Sequence, residues 1–193
     1  MARKITARPN AKANTLDWSS GSVGIGKVIN ASNNVFTLGA QSITVDVTGD
    51  SASLRINEKG LTVNFGDGDF LLQTARPRDT LVLTFDPPVK AAAVQFAAFG
   101  VNNPTRFFGV VQARLDDGTD TDIFKLRGET TGLRDGTALC LGIAAAAAEA
   151  PILAIAFSAE MDGPVNAPKC FAINQMTYAE SAAAAATKRA GGI

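Results

Sequence analysis

Asn64, Asp67 and Asp69 put three oxygen-bearing side chains within six residues, spaced by Gly66 and Gly68. Oxygen ligands on a short, glycine-rich loop are what calcium takes, in sets of roughly six to eight. A structural calcium is therefore the one cofactor these residue types suggest. The spacing is not that of an EF-hand, and an ordinary Asp-Gly turn explains the same residues. Four further carboxylates, Asp116, Asp117, Asp120 and Asp122, flank Gly118. Paired carboxylates hydrolyse glycosides only when they face each other at a defined separation. Acids on either side of a tight turn point into solvent instead. Arg76 and Arg78 bracket Pro77 beside Asp79. They could clamp an anion, but a surface ion pair accounts for them as well.

Aromatic rings next to loops form the other group. Trp18, Phe70, Phe107, Phe108 and Tyr178 are of this kind. Sugar C–H faces stack on such rings, and neighbouring Asn and Arg side chains pair with hydroxyls. Asn102, Asn103 and Arg106 beside Phe107 make a plausible rim, with Trp18 and Phe70 as further ligand-binding candidates. The competing reading is that most of these rings fill the core, because aromatics make up only 7% of the chain. Gly21, Gly24 and Gly26 lack the spacing and the strand-then-helix context of a phosphate-binding loop and read as a turn.

The chain has no histidine. That excludes Ser-His-Asp and Cys-His nucleophile systems, histidine-bearing zinc sites and a histidine pH switch. No catalytic residue is assigned, and a carboxylate-based glycan-active enzyme ranks last. Formal charge is zero, from 18 basic and 18 acidic residues, so the electrostatic footprint of a nucleic-acid binder is missing. No apolar run reaches the ~20 residues of a membrane helix. Cys140 and Cys170 allow one disulfide or, more simply, two buried thiols. MARKITARPN has the basic start of a signal peptide without an apolar core behind it, which points to the cytoplasm if the chain is complete.

Strands must carry these groups. The central stretch is TLVLTFDPPVKAAAVQFAAF, residues 80–99. Leu81, Leu83 and Phe85 alternate with Thr80, Val82 and Thr84, the period of a strand. Pro87 and Pro88 remove two backbone donors and make a corner; Val94 and Phe96 then resume the pattern. Similar alternation at 43–47, 111–115 and 171–178, with turn signals every ten or so residues, predicts an all-β fold of about 8–10 strands. The domain expected is 15–179, behind a polar arm at 1–14 and before an Ala/Gly-rich tail at 180–193.

In order along the chain stand LDW (16–18), GDGDFLL (66–72), LVLTFDPPV (81–89), DDG (116–118), LGI (141–143) and FAINQ (171–175). In these the chain resembles the jelly-roll domains of bacterial surface and exported proteins found with PEP-CTERM sorting tails, which are themselves similar to carbohydrate-binding modules. The resemblance implies a two-sheet antiparallel jelly-roll sandwich, an extracellular or cell-surface location and one structural calcium between loops. It also implies a non-catalytic module binding glycan at loops or on a concave sheet face. The alternative is a structural protein that associates with copies of itself.

Overall fold

The structure is a computed structural model that describes residues 1–6, 14–16, 18, 28–29, 34–48, 54–57, 64–66, 69–76, 79–99, 104–133, 136–163 and 169–181. Among them are the strands β1 (Arg3–Ile5), β2 (Asn14–Leu16), β3 (Val28–Ile29), β4 (Val35–Leu38), β5 (Gln41–Thr48), β6 (Leu54–Asn57) and β7 (Leu71–Gln73). They continue with β8 (Thr80–Phe99), β9 (Thr105–Leu115), β10 (Phe124–Thr130), β11 (Leu139–Ala144), β12 (Ile152–Met161) and β13 (Cys170–Glu180). Every pairing is antiparallel. Among the described residues the strands number thirteen rather than eight to ten because β1, β2, β3 and β7 are only two or three residues long. Among the described residues no helix is long and apolar enough to cross a membrane.

β8 organises this all-β sandwich. It is one 20-residue element, yet its halves have different neighbours. Thr80–Asp86 pairs with β5 on one side, and its residues 81–84 pair with β12 on the other. Beyond the corner, β8 pairs with β11 and β13. The first sheet therefore runs β10-β9-β12-β8-β5-β4, and the second runs β1-β11-β8-β13, then β7, β6 and β3, with β2 further along β13. A strand that bends out of one sheet into the facing one is a usual way to close a sandwich.

The ladder with β5 ends at Asp86 and pairing resumes at Val89, so the two prolines sit where no ladder donor is needed. The Asp86-Pro87 bond is cis. Gln41, buried behind it, donates its amide Nε2 to the Pro87 carbonyl at 2.8 Å. The proline corner read from the sequence thus lies inside a continuous strand. Leu81, Leu83 and Phe85 face the core before it, and Ala92, Val94, Phe96 and Ala98 after it. The change from odd to even residues is what a chain needs to meet the same core from the opposite wall.

Rings join the two walls. Phe96 of the second sheet lies 6.0 Å, centroid to centroid, from Phe107 of the first, and stacks on Phe171 at 5.0 Å. Burying each such side chain is worth about 1.5–3 kcal/mol. Gly128 on β10 admits the Phe107 ring, since a Cβ there would stand 2.6 Å from Phe107 Cζ and 2.8 Å from Leu139 Cδ1.

One expectation changes, and the simpler reading of the two cysteines holds. Residues 3–5 form β1 on the edge of β11 rather than part of a loose arm. Cys140 and Cys170 are both thiols, and β8 lies between their strands. Two strand spacings are about 9.5 Å, beyond the ~7 Å Cα separation a disulfide tolerates. The tail at 182–193 and the glycines at 21, 24 and 26 lie outside the described residues.

Candidate functional site

Alternation decides which rings reach the surface. On β9, Phe107, Val111, Ala113 and Leu115 are buried between the sheets, whereas Arg106 and Arg114 are exposed. Phe107, predicted as a ligand contact, is 1% exposed and belongs to the core; its neighbour Phe108 lies on the outer face and is only partly covered. Trp18 is likewise a core residue. It is fully buried, packs edge-on against Phe36 at 5.4 Å and donates its indole N–H to the Asn174 carbonyl at 2.9 Å. Phe70 is partly covered and packs against the main core. Tyr178 is buried, and burial followed by the nearby Glu180 charge raises its phenol above the ordinary value. Asn102 and Asn103 lie outside the described residues.

Of the loop expected to hold calcium, Asn64 and Asp69 are among the described residues. Asn64 is buried with φ at 44°. Its Nδ2 donates to the Glu129 carbonyl and to Thr137 Oγ1, both at 2.9 Å, and its Oδ1 accepts the Thr131 N–H at 3.0 Å. These bonds anchor the loop through both atoms of the amide. Asp69 closes a turn by accepting the Gly66 N–H at 2.7 Å. Asp67 lies outside the described residues, among which no group of three Cys, Asp or Glu side chains could hold a metal. The anchored loop instead lays Phe65 over Leu71, Ala97, Phe99, Cys170 and Ala172, covering part of the outer face of the second sheet. Burial pushes the Cys170 thiol up, opposed by its contact with Gln73.

The acidic hairpin is a stabilised turn. Asp117 accepts the Thr119 N–H, and Arg114 forks onto Asp120 at 2.9 and 3.1 Å. Those bonds hold both carboxylates below the ordinary value. Asp79 likewise accepts the Arg76 N–H at 2.9 Å, closing a turn, while Pro77 and Arg78 lie outside the described residues.

Two outer surfaces remain. On the first sheet, Phe108 stands in register with Arg127 of β10 and Glu160 of β12, and Arg106 with Glu129. Ion pairs surround it: Arg106–Glu129 at 3.1 Å, Lys125–Glu160 at 2.6 Å and Arg127–Asp162 at 2.5 Å. A shallow depression of about 340 Å³ opens between Arg106, Arg127 and Glu129 over Gly128. Arg106 is thus on this surface as expected, although the ring beside it is Phe108.

On the second sheet the surface is a recess of about 50 Å³, with Thr15, Gln95, Gln175 and Thr177 around Ala93 and Cys140. It exists because β13 carries a bulge. Ile173 pairs with Phe96 and Met176 with Val94, so Asn174 and Gln175 both stand opposite Gln95. Asn174 is fully buried and joins the parts, its carbonyl held by Trp18 and its Nδ2 donating to Gln95 Oε1 at 2.9 Å. Residue types alone do not set these two amides of FAINQ apart. The signal is there: the apolar pair Phe171 and Ile173 is followed by Met176 and Tyr178, a step of three that marks one inserted residue.

No family model matches the chain, and a search of curated proteins finds no match. Among solved structures it is similar to the CBM22-1 xylan-binding domain of Xyn10C from Paenibacillus barcinonensis, at 13% identity and a TM-score of 0.36. The likeness covers 83% of this chain and 100% of that one. The fold stands on the strand pairing above rather than on this likeness.

Proposed function

We propose that this chain is a non-catalytic carbohydrate-binding or adhesion module that takes a glycan across the outer face of its first sheet. The observation that carries the reading is the setting of Phe108, a partly exposed ring framed by Arg106, Arg127, Glu129 and Glu160 on a sheet face. A pyranose presents C–H groups on its flat side and hydroxyls around its edge. The ring meets the first, and guanidinium and carboxylate groups meet the second, since each hydroxyl both donates and accepts. The patch holds three cations and three anions in pairs, which suits an uncharged sugar better than a polyanion. β10 is the edge of this sheet, and its exposed Lys125, Arg127 and Glu129 are the kind of residues that discourage edge-to-edge pairing. That favours glycan binding over self-assembly.

The test is a glycan-array screen followed by calorimetry on the hits with wild type and Phe108→Ala. We expect binding of neutral β-linked oligosaccharides that falls at least about tenfold in the variant, a loss of roughly 1.4 kcal/mol. Binding that is unchanged in Phe108→Ala, or no binding to any glycan, would overturn the assignment.

A further inference from the structure

The recess on the second sheet has a feature the Phe108 face lacks, because its polar groups are positioned from within. Asn174 is buried, and its Nδ2 occupies Gln95 Oε1. Gln95 Oε1 is thereby occupied, which leaves the side chain's Nε2 to donate on the recess it lines. The Trp18 N–H holds the bulge carbonyl, and the Gln175 backbone N–H bonds Asn174 Oδ1. Thr177 donates to the Ala93 carbonyl at 3.3 Å. Among the described residues Gln95 Nε2 and the side-chain amide of Gln175 make no hydrogen bond, so both are available to a ligand. Between them, Ala93 and the side chain of Cys140 supply an apolar wall.

One donor fixed by a buried network, one primary amide able to turn either way, and a small apolar wall complement a secondary amide. Its carbonyl accepts from Gln95 Nε2, its N–H donates to Gln175 Oε1, and its methyl lies against Ala93 and Cys140. A recess of about 50 Å³ admits such a group and no whole sugar ring. Among the described residues no charged side chain lines it, which matches a neutral group. We propose that this bulge recess is a second binding site, specific for the acetamido group of an N-acetylhexosamine whose ring stays outside. The proposal is independent of the Phe108 reading, since the two surfaces lie on opposite sheets.

The experiment is a heteronuclear NMR titration of the full chain with tri-N-acetylchitotriose, with cellotriose and deacetylated chitotriose as matched controls. We expect the side-chain amide signals of Gln95 and Gln175 to shift with the acetylated trimer, and affinity read from those signals to be at least about tenfold weaker for either control. Gln175→Ala is expected to weaken the acetylated trimer about tenfold, and Thr15→Val, which keeps the strand-favouring shape, severalfold. Asp122→Ala, exposed at the hairpin and part of neither site, is expected to leave it unchanged. Equal binding of cellotriose read from the two glutamine signals, absence of shifts there, or full affinity in Gln175→Ala would each overturn the proposal. Failure there with Phe108-dependent binding intact removes the recess alone; the reverse result removes the Phe108 reading alone.

Discussion

The two outer faces of this sandwich solve the same problem differently. The first exposes its polar groups on the ends of long side chains that hold one another in ion pairs, around a ring set by strand alternation. The second sinks its polar groups into a bulge and fixes them through a fully buried asparagine. Exposed pairs such as Lys125–Glu160 are screened by water and salt and contribute only about 0.2–1 kcal/mol each. They keep the face soluble and adjustable. A donor held by a buried network has already lost its rotamer freedom, so less is lost when a ligand docks. The difference lies in where positioning comes from: side-chain pairing on one face, backbone irregularity on the other.

The sharpest way to break this comparison is at two adjacent phenylalanines. Phe107→Ala empties a space between the sheets and is expected to cost about 3–5 kcal/mol. For a domain of this size, that lowers Tm by roughly 2–4 °C per kcal/mol. Phe108→Ala is expected to cost well under half as much while removing glycan binding. Differential scanning calorimetry on both variants decides it; equal destabilisation would mean that Phe108 is a core residue and the first face has no ring to offer.

A smaller effect is expected from Asn174→Ala. Its buried amide is removed and the Gln95 oxygen loses its donor, a penalty of about 1–3 kcal/mol measurable by urea unfolding. The comparison gains from what happens to binding. Affinity at the recess should fall with stability, while affinity at the Phe108 face should hold. Loss at both faces would show that Asn174 serves the sandwich as a whole and does not position the recess.

How much of this was legible in the residues follows the same division. Leu81, Leu83 and Phe85 against Thr80, Val82 and Thr84 announce a strand with one buried face, and burial follows that pattern. The Asp116-Asp117-Gly118 turn is legible because Gly118 takes a φ of 84°, which few other residues accept. Phe107 and Phe108 are not separable by type. Only the phase of β9 assigns one inward and one outward, and that phase is set by Val111, Ala113 and Leu115, already read as one face. Asn64 is harder to read, because an Asn in a glycine-rich loop has the same letter whether it binds a cation or three partners 65 to 73 residues away. Such distances between partners are invisible to spacing arguments. The bulge was legible in principle, from the three-residue step between Ile173 and Met176, but its consequence was not. The recess also needs Gln95 and Thr15, which only the fold brings beside Gln175.

The smallest effect concerns pH and lies at the far end of the first face, at Arg114–Asp120. The hydrogen bond from Arg114 lowers the Asp120 carboxyl below its ordinary value of 3.8. A carboxyl depressed on folding adds stability that is present above the ordinary value and lost as pH falls through the folded one. Wild type is therefore expected to be slightly more stable than Asp120→Asn at pH 5, the gap closing as the solution is acidified well below pH 4. Both partners are largely exposed, so the gap should also shrink in 1 M salt. Thermal melts across that pH range read it out, and a gap that persists in acid would mean the asparagine acts through turn geometry and not through charge. The second face provides the contrast. Thr15, Gln95, Gln175 and Thr177 have nothing to titrate there, so affinity for the acetylated trimer should stay flat over the same range, and a matching acid-dependent fall would place a carboxylate in the recess.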